Sequence, residues 1–178
     1  MTVTIRPLQQ TDIQLLWQIA YGAGHEEWQN WNGPYFHDAP MTEDEMHAWA
    51  HDPFKNGIFL DGRLVGAVFA YYSDGILERW LEVGIVVYVN DIWGQGVGTT
   101  ALRLWLDRVF GMVDLPHVGL TTWSGNIRMM RVAEKIGMRE EARIRQVRYW
   151  QNQYWDSMKY GILRGEWEET RYAQGMDN

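Results

Sequence analysis

The chain has 178 residues, 46% of them hydrophobic and 14% aromatic, enough apolar material for one sizeable folded domain over 1–178 rather than a disordered chain. With 23 acidic against 16 basic residues its formal net charge is −7, which argues against nucleic acid as a partner; the absence of cysteine excludes disulfides, thiolate nucleophiles and Cys-based metal sites. No apolar run reaches the roughly 18 residues of a membrane span and no signal-peptide core is present, so a cytoplasmic protein with no membrane partner is expected.

Residues 3–8 (VTIRPL) read as a short strand. Residues 11–24 carry Ile13, Leu16, Trp17, Ala20 and Tyr21 at helical spacing, with Thr11 as the expected N-cap. The stretch 25–40 (HEEWQNWNGPYFHDAP) is a loop, broken by Asn-Gly-Pro and rich in aromatics. A helix restarts at 41–53, where Thr42 and Glu45 form a capping box. The period then changes to two. Residues 57–75 give two strands around Asp61-Gly62, a hairpin signal, and 77–89 (LERWLEVGIVVYV) give another strand. A glycine-rich turn leads into a helix over 98–112, then a strand at 117–123. A further helix over 126–137 stops at Gly137, and paired closing strands flank Gln151-Asn152. The last dozen residues read as a short helix or a loose tail. This order gives an α+β fold, a central and mostly antiparallel mixed sheet flanked by helices.

The stretch 89–102 (VNDIWGQGVGTTAL) places Gly94, Gly96 and Gly98 between strand and helix. A first helical turn offers unpaired N–H donors and a partial positive charge, and glycines let an anion approach the bare backbone. The turn is therefore a phosphate cradle in its chemistry. It is not a Walker A loop, because no lysine follows Gly98, and Thr99-Thr100-Ala101 fits the dinucleotide fingerprint poorly. A structural turn with no ligand is the alternative.

The run 81–102 (LEVGIVVYVNDIWGQGVGTTAL), followed by 126–138 (NIRMMRVAEKIGM), resembles the GNAT superfamily of N-acetyltransferases, and within it the ribosomal-protein alanine and spermidine acetyltransferase branch. Glu82, Gly84, Trp93, Gly94, Gly96, Gly98, Asn126, Val132, Ala133, Glu134, Lys135 and Gly137 occupy the motif positions, and the opening IRPLQQTDIQLL matches the first strand and helix. The resemblance implies a GNAT-like acyl-CoA N-acyltransferase fold and an acetyl-CoA co-substrate. The pyrophosphate would sit on the backbone amides of Trp93, Gly94, Gln95, Gly96, Val97, Gly98 and Thr99. Main-chain groups around Ile85, Val86 and Val87 would meet the pantetheine arm, and Asn126 would contact the cofactor. The implied reaction is direct acetyl transfer to a primary amine in a ternary complex; a non-catalytic acyl-CoA-binding module is the alternative.

Such a transfer needs a group that takes the amine's proton. Glu82 lies at the family's base position, in an apolar strand where burial would raise its pKa. Glu78 falls on the same face of the expected strand and could share the role. The family's hydroxyl donors are missing, since Ala133 and Met129 stand at the tyrosine and serine positions; Tyr88 or Tyr160 could substitute. Gln95 replaces a basic residue in the loop.

Between Arg6 and Lys55 there are eight carboxylates and no Lys or Arg. The loop there carries Glu26, Glu27, Trp28, Trp31 and Tyr35, which as a substrate surface would suit a cationic small-molecule amine or a basic peptide N-terminus. A homodimer contact is the other use for these aromatics. His25, His37, His47 and His51 share the region, and the last two, four apart, read as surface histidines rather than a metal pair. No metal is expected.

Overall fold

The computed structural model describes residues 1–22 and 26–173, with Glu26 by its backbone alone. His25 and the side chain of Glu26 therefore lie outside the described residues, as do the last five positions. The strands are β1 (Val3–Arg6), β2 (Lys55–Leu60), β3 (Arg63–Tyr72), β4 (Leu81–Val87), β5 (His117–Trp123), β6 (Arg139–Trp150) and β7 (Gln153–Leu163). The helices are α1 (Gln10–Tyr21), α2 (Glu43–Ala50), α3 (Val97–Met112), α4 (Ile127–Lys135) and α5 (Arg164–Ala173). The strands form one mixed sheet in the order β1-β2-β3-β4-β5-β7-β6. By contacts the chain divides into two compact units, one of residues 1–70 with 84–105 and one of residues 71–83 with 106 onward.

In the first unit β1, β2 and β3 pair antiparallel. Asp61 (φ 48°) and Gly62 (φ 84°) make the tight turn between β2 and β3, both in the left-handed region that a two-residue hairpin of this type requires. α1 and α2 lay Ile13, Leu16, Ala20, Met46 and Ala50 against Phe59, Leu64 and Ala67 in one core. Thr42 and Glu45 cap α2 as the sequence predicts, with Thr42 Oγ1 accepting from the Glu45 amide at 3.2 Å. α1 starts earlier than expected. Its N-cap is Gln9 rather than Thr11, because the Asp12 carboxylate reaches back to the Gln9 amide at 2.7 Å while also pairing with Arg6.

In the second unit β7 lies between β5 and β6, antiparallel to both. Gln151 (φ 51°) and Asn152 (φ 59°) turn the β6–β7 hairpin where expected. Gly137 (φ 95°) follows the end of α4, and its amide closes onto the Glu134 carbonyl at 3.0 Å. α5 buries Trp167, whose indole nitrogen donates to Asp107 at 3.2 Å. One expected strand is shorter than predicted. Residues 75–77 form a 3₁₀ turn ending at Glu78 (φ 52°), and extended structure begins only at Leu81. Glu78 is consequently exposed and off the strand, so it does not share a face with Glu82.

Candidate active site

The glycine turn belongs to the first unit. β4 runs out at Val87, a 3₁₀ turn covers Asn90–Ile92, and α3 starts at Val97. Gly94 (φ 81°) and Gly96 (φ 87°) adopt backbone angles that L side chains rarely take, and a Cβ on either would meet nothing within 4 Å. At Gly98 a Cβ would touch only Ile85 Cδ1 at 3.9 Å. The first i→i−4 bond of α3 runs from the Thr100 amide to the Gly96 carbonyl at 3.0 Å. The amides of Val97, Gly98 and Thr99 thus precede the helical ladder, with bare space over the glycines.

Two of the expected donors are already spoken for. The Trp93 amide donates to Asn90 O at 3.1 Å, and the Gln95 amide is turned toward Ile92 O at 3.4 Å. The Trp93 indole nitrogen also takes the Val87 carbonyl at 2.9 Å, which removes one main-chain group expected to meet pantetheine. Gln95 folds its side chain onto Asp91 O at 3.0 Å. The Trp93 and Gln95 amides are thus engaged within the turn, while no main-chain bond among the described residues engages the Gly94 amide or those of Gly96 through Thr99. That donor set fits a pyrophosphate, since oriented amides at a helix start neutralise an anion without a basic side chain.

Glu82 lies in the second unit and is buried, 2% exposed in its side chain. β4 pairs parallel with β5 only at Leu81↔Val118 and Glu82↔Gly119, so Glu82 stands at the last paired position before the strands part. Thr121, two residues along β5 on the same face, donates to Glu82 Oε2 at 2.5 Å; Tyr71 donates to the same oxygen at 3.0 Å. Lys159, opposite Thr121 on β7, donates to Oε1 at 3.0 Å and sits 5.6 Å from the Trp80 ring centroid. Burial pushes the Glu82 carboxyl up. The bonds from Thr121 and Lys159, the lysine charge and the Tyr71 bond outweigh burial and hold it below the ordinary glutamate value. The raised pKa expected from sequence is therefore reversed: burial came with three donors, one of them cationic.

Of the tyrosines singled out as substitute acids, Tyr88 is buried in the first unit's core against Trp28, and burial raises its pKa strongly. Tyr160 alternates with Lys159 along β7 and points to the opposite face, its hydroxyl buried and its pKa raised by burial. The tyrosine that reaches Glu82 is Tyr71, which the sequence did not single out. Ala133 is wholly buried. Asn126 caps α4, accepting from the Met129 amide at 3.1 Å.

The loop aromatics divide. Trp28 is core: it is 7% exposed, donates to Ala20 O at 2.7 Å, and stacks edge-on with Tyr21 and Tyr88. Its face is not available to a cation, which corrects its place among the substrate residues. Trp31 and Tyr35 are half-buried, and Glu27 is exposed, accepting at 2.8 Å from Nδ2 of Asn90, the first residue of the 3₁₀ turn after β4. His51 turns its ring onto the His47 carbonyl at 2.6 Å, while His47 meets Gln10.

Residues 2–139 match the acetyltransferase (GNAT) domain, and the chain belongs to that family. Among its relatives is the Bacillus subtilis protein named "Putative ribosomal N-acetyltransferase YdaF", 30% identical over 63% of this chain and 60% of its own length. A second B. subtilis protein, "Uncharacterized N-acetyltransferase YnaD", is 32% identical over 58% of this chain and 59% of its own. The chain thus spans about three fifths of the length of both relatives. A spermidine N-acetyltransferase from Vibrio cholerae, solved with CoA and spermine, has the same fold: the TM-score is 0.73 at 18% identity, covering 93% of this chain and 98% of that one.

Proposed function

We propose that this protein transfers the acetyl group of acetyl-CoA to a primary amine of a small molecule or a peptide N-terminus, with both substrates bound together. The observation that carries the reading is the open glycine turn: a Cβ on Gly94 or Gly96 would meet nothing within 4 Å, and the amides of Val97, Gly98 and Thr99 precede the first i→i−4 bond of α3. Those amides would hold the pyrophosphate, and main-chain groups of Ile85 and Val86 would meet the pantetheine arm. The thioester supplies an activated acyl carbon when bound. Glu82 is held as an anion on β4, its charge balanced by Lys159.

The test is calorimetry with CoA followed by a thiol-release assay with acetyl-CoA across polyamines, aminoglycosides, amino acids and basic peptides. CoA binding with thiol release on at least one amine is the expected outcome. A folded protein that binds no CoA would end this reading.

A cationic acceptor is favoured by the eight carboxylates between Arg6 and Lys55. A spermidine acetyltransferase and a ribosomal one among the similar proteins agree with that choice. If this surface steers the amine, the acceptor's KM should rise severalfold between low and physiological salt, where fields are screened over about 8–10 Å. Neutralising Glu27, with or without Glu26, should raise the acceptor KM and leave the acetyl-CoA KM within twofold. Salt-independent kinetics in the same titration would rule out steering.

A further inference from the structure

We propose that the Trp93 indole is a staple that holds the glycine turn in its phosphate-binding shape; this rests on the acetyl-CoA reading and adds a positioning residue to it. The bond runs from Trp93 Nε1 to the Val87 carbonyl, six residues back along the chain, at 2.9 Å. The Trp93 amide also bonds Asn90 O at 3.1 Å, so the backbone and side chain of one residue close the segment after β4 into a loop. The ring itself is half-buried and packs against the first unit's core.

The residues that follow Trp93 have only surface contacts to hold them. Gly94, Gln95 and Gly96 are exposed, and the next buried residue is Val97, 2% exposed. Two of the three are glycines at positive φ, and glycine loses more conformational freedom on ordering than any other residue. Gln95 adds an amide contact at 3.4 Å and an exposed side-chain bond to Asp91 O at 3.0 Å. Apolar burial therefore fixes the turn at its two ends, Trp93 and Val97. An anion held by backbone amides needs several of them aimed at one place beforehand, because ordering them on arrival is subtracted from affinity.

A half-buried indole needs an acceptor somewhere, and Trp28 is the ordinary case. Its N–H donates to Ala20 O at the end of α1, inside the same core. The Trp93 bond differs in what it joins. The Tyr88 amide faces β3, donating to Val65 O at 3.0 Å, so the preceding Val87 carbonyl faces the other edge of its strand. The indole reaches that edge where β4 ends and brings the chain back to it just before Gly94. A pantetheine arm pairing along this edge would find the Val87 carbonyl taken, so the same bond sets where such pairing stops.

Two variants and two probes test the staple. Trp93→Phe keeps a ring in the core and loses the N–H, and Trp28→Phe makes the same change at the neighbouring indole. The probes are CoA and 3′-phosphoadenosine 5′-diphosphate, which keeps the pyrophosphate of CoA and lacks its arm. In titration calorimetry Trp93→Phe is expected to weaken both probes roughly tenfold, about 1.4 kcal/mol. Trp28→Phe should leave both within about twofold. Unchanged affinities in Trp93→Phe would overturn the assignment. An equal loss in Trp28→Phe would mean a loosened core, and a loss confined to CoA would mean an effect on the arm; either overturns it too. Should Trp93→Phe not fold, hydrogen exchange of the Trp93 indole proton in the parent reads the same bond. Saturating CoA should slow that exchange severalfold, because a ligand that needs the bond closed keeps it closed. Equal or faster exchange would overturn the staple. A folded parent that binds neither probe would instead overturn the cofactor reading, and the staple with it.

Discussion

Lys159→Met is expected to destabilise the protein by about 3–5 kcal/mol, the range for removing one partner of a buried ion pair. Glu82 would be left almost without solvent, 2% exposed, with two neutral hydroxyl donors where it had two hydroxyls and an ammonium. The reverse change, Glu82→Gln, should cost less, because Lys159 is 27% exposed and can reach water. The pH dependence gives a second signature. In the parent, the Glu82 carboxyl lies below its ordinary value, so its contribution is present above the unfolded pKa, about 4.3, and is lost as pH falls toward the folded pKa. In Lys159→Met burial has less to oppose it, so that loss shrinks or reverses sign. The stability gap between the two proteins should therefore narrow between pH 7 and pH 4 in urea melts. A gap that stays constant, or below about 1 kcal/mol throughout, would show that the pair contributes as an exposed one does.

Those elements whose cues are local were legible in the sequence. Asp61-Gly62 and Gln151-Asn152 mark turns because their backbone angles are demanding, and Thr42 with Glu45 marks a helix start through one hydrogen-bonded exchange. The glycine turn before α3 belongs to the same class, since strand, glycines and helix follow one another along the chain. What was not legible depends on register. Nothing local says that Thr121 and Lys159 face Glu82, because they come from β5 and β7, 39 and 77 residues away. The reversal of the Glu82 pKa follows from that pairing and from nothing nearer in sequence. The contact of His117 with Glu141 was hidden for the same reason, its two residues lying 24 apart on β5 and β6. The signal that existed was indirect: Gly119 and Gly161 interrupt two strands, and glycine inside a strand often marks a close approach. Trp28 was misassigned to a surface because composition places it in a polar loop, while its indole nitrogen is satisfied by the end of α1.

Gly98→Leu is expected to separate ligand binding from folding more cleanly than any change at Gly94 or Gly96. At those two positions φ is positive, 81° and 87°, so a side chain would strain the turn whether or not a ligand binds there. Gly98 carries no such constraint. It is the second residue of α3, its added Cβ would make one ordinary contact with Ile85 at 3.9 Å, and leucine improves on glycine in a helix by about 0.5–1 kcal/mol. Folding should be unchanged or slightly favoured, with Tm equal to the parent's or a few degrees higher. CoA affinity should fall roughly 100-fold, about 2.7 kcal/mol, because the side chain enters the space over the amides of Val97 and Thr99 that a pyrophosphate would need. Titration calorimetry on the folded variant reads the two quantities together. Affinity equal to the parent's would place the phosphate elsewhere; a lower Tm with weak binding would point to local damage. Loss of binding with Tm preserved would support this turn as the place where the cofactor binds.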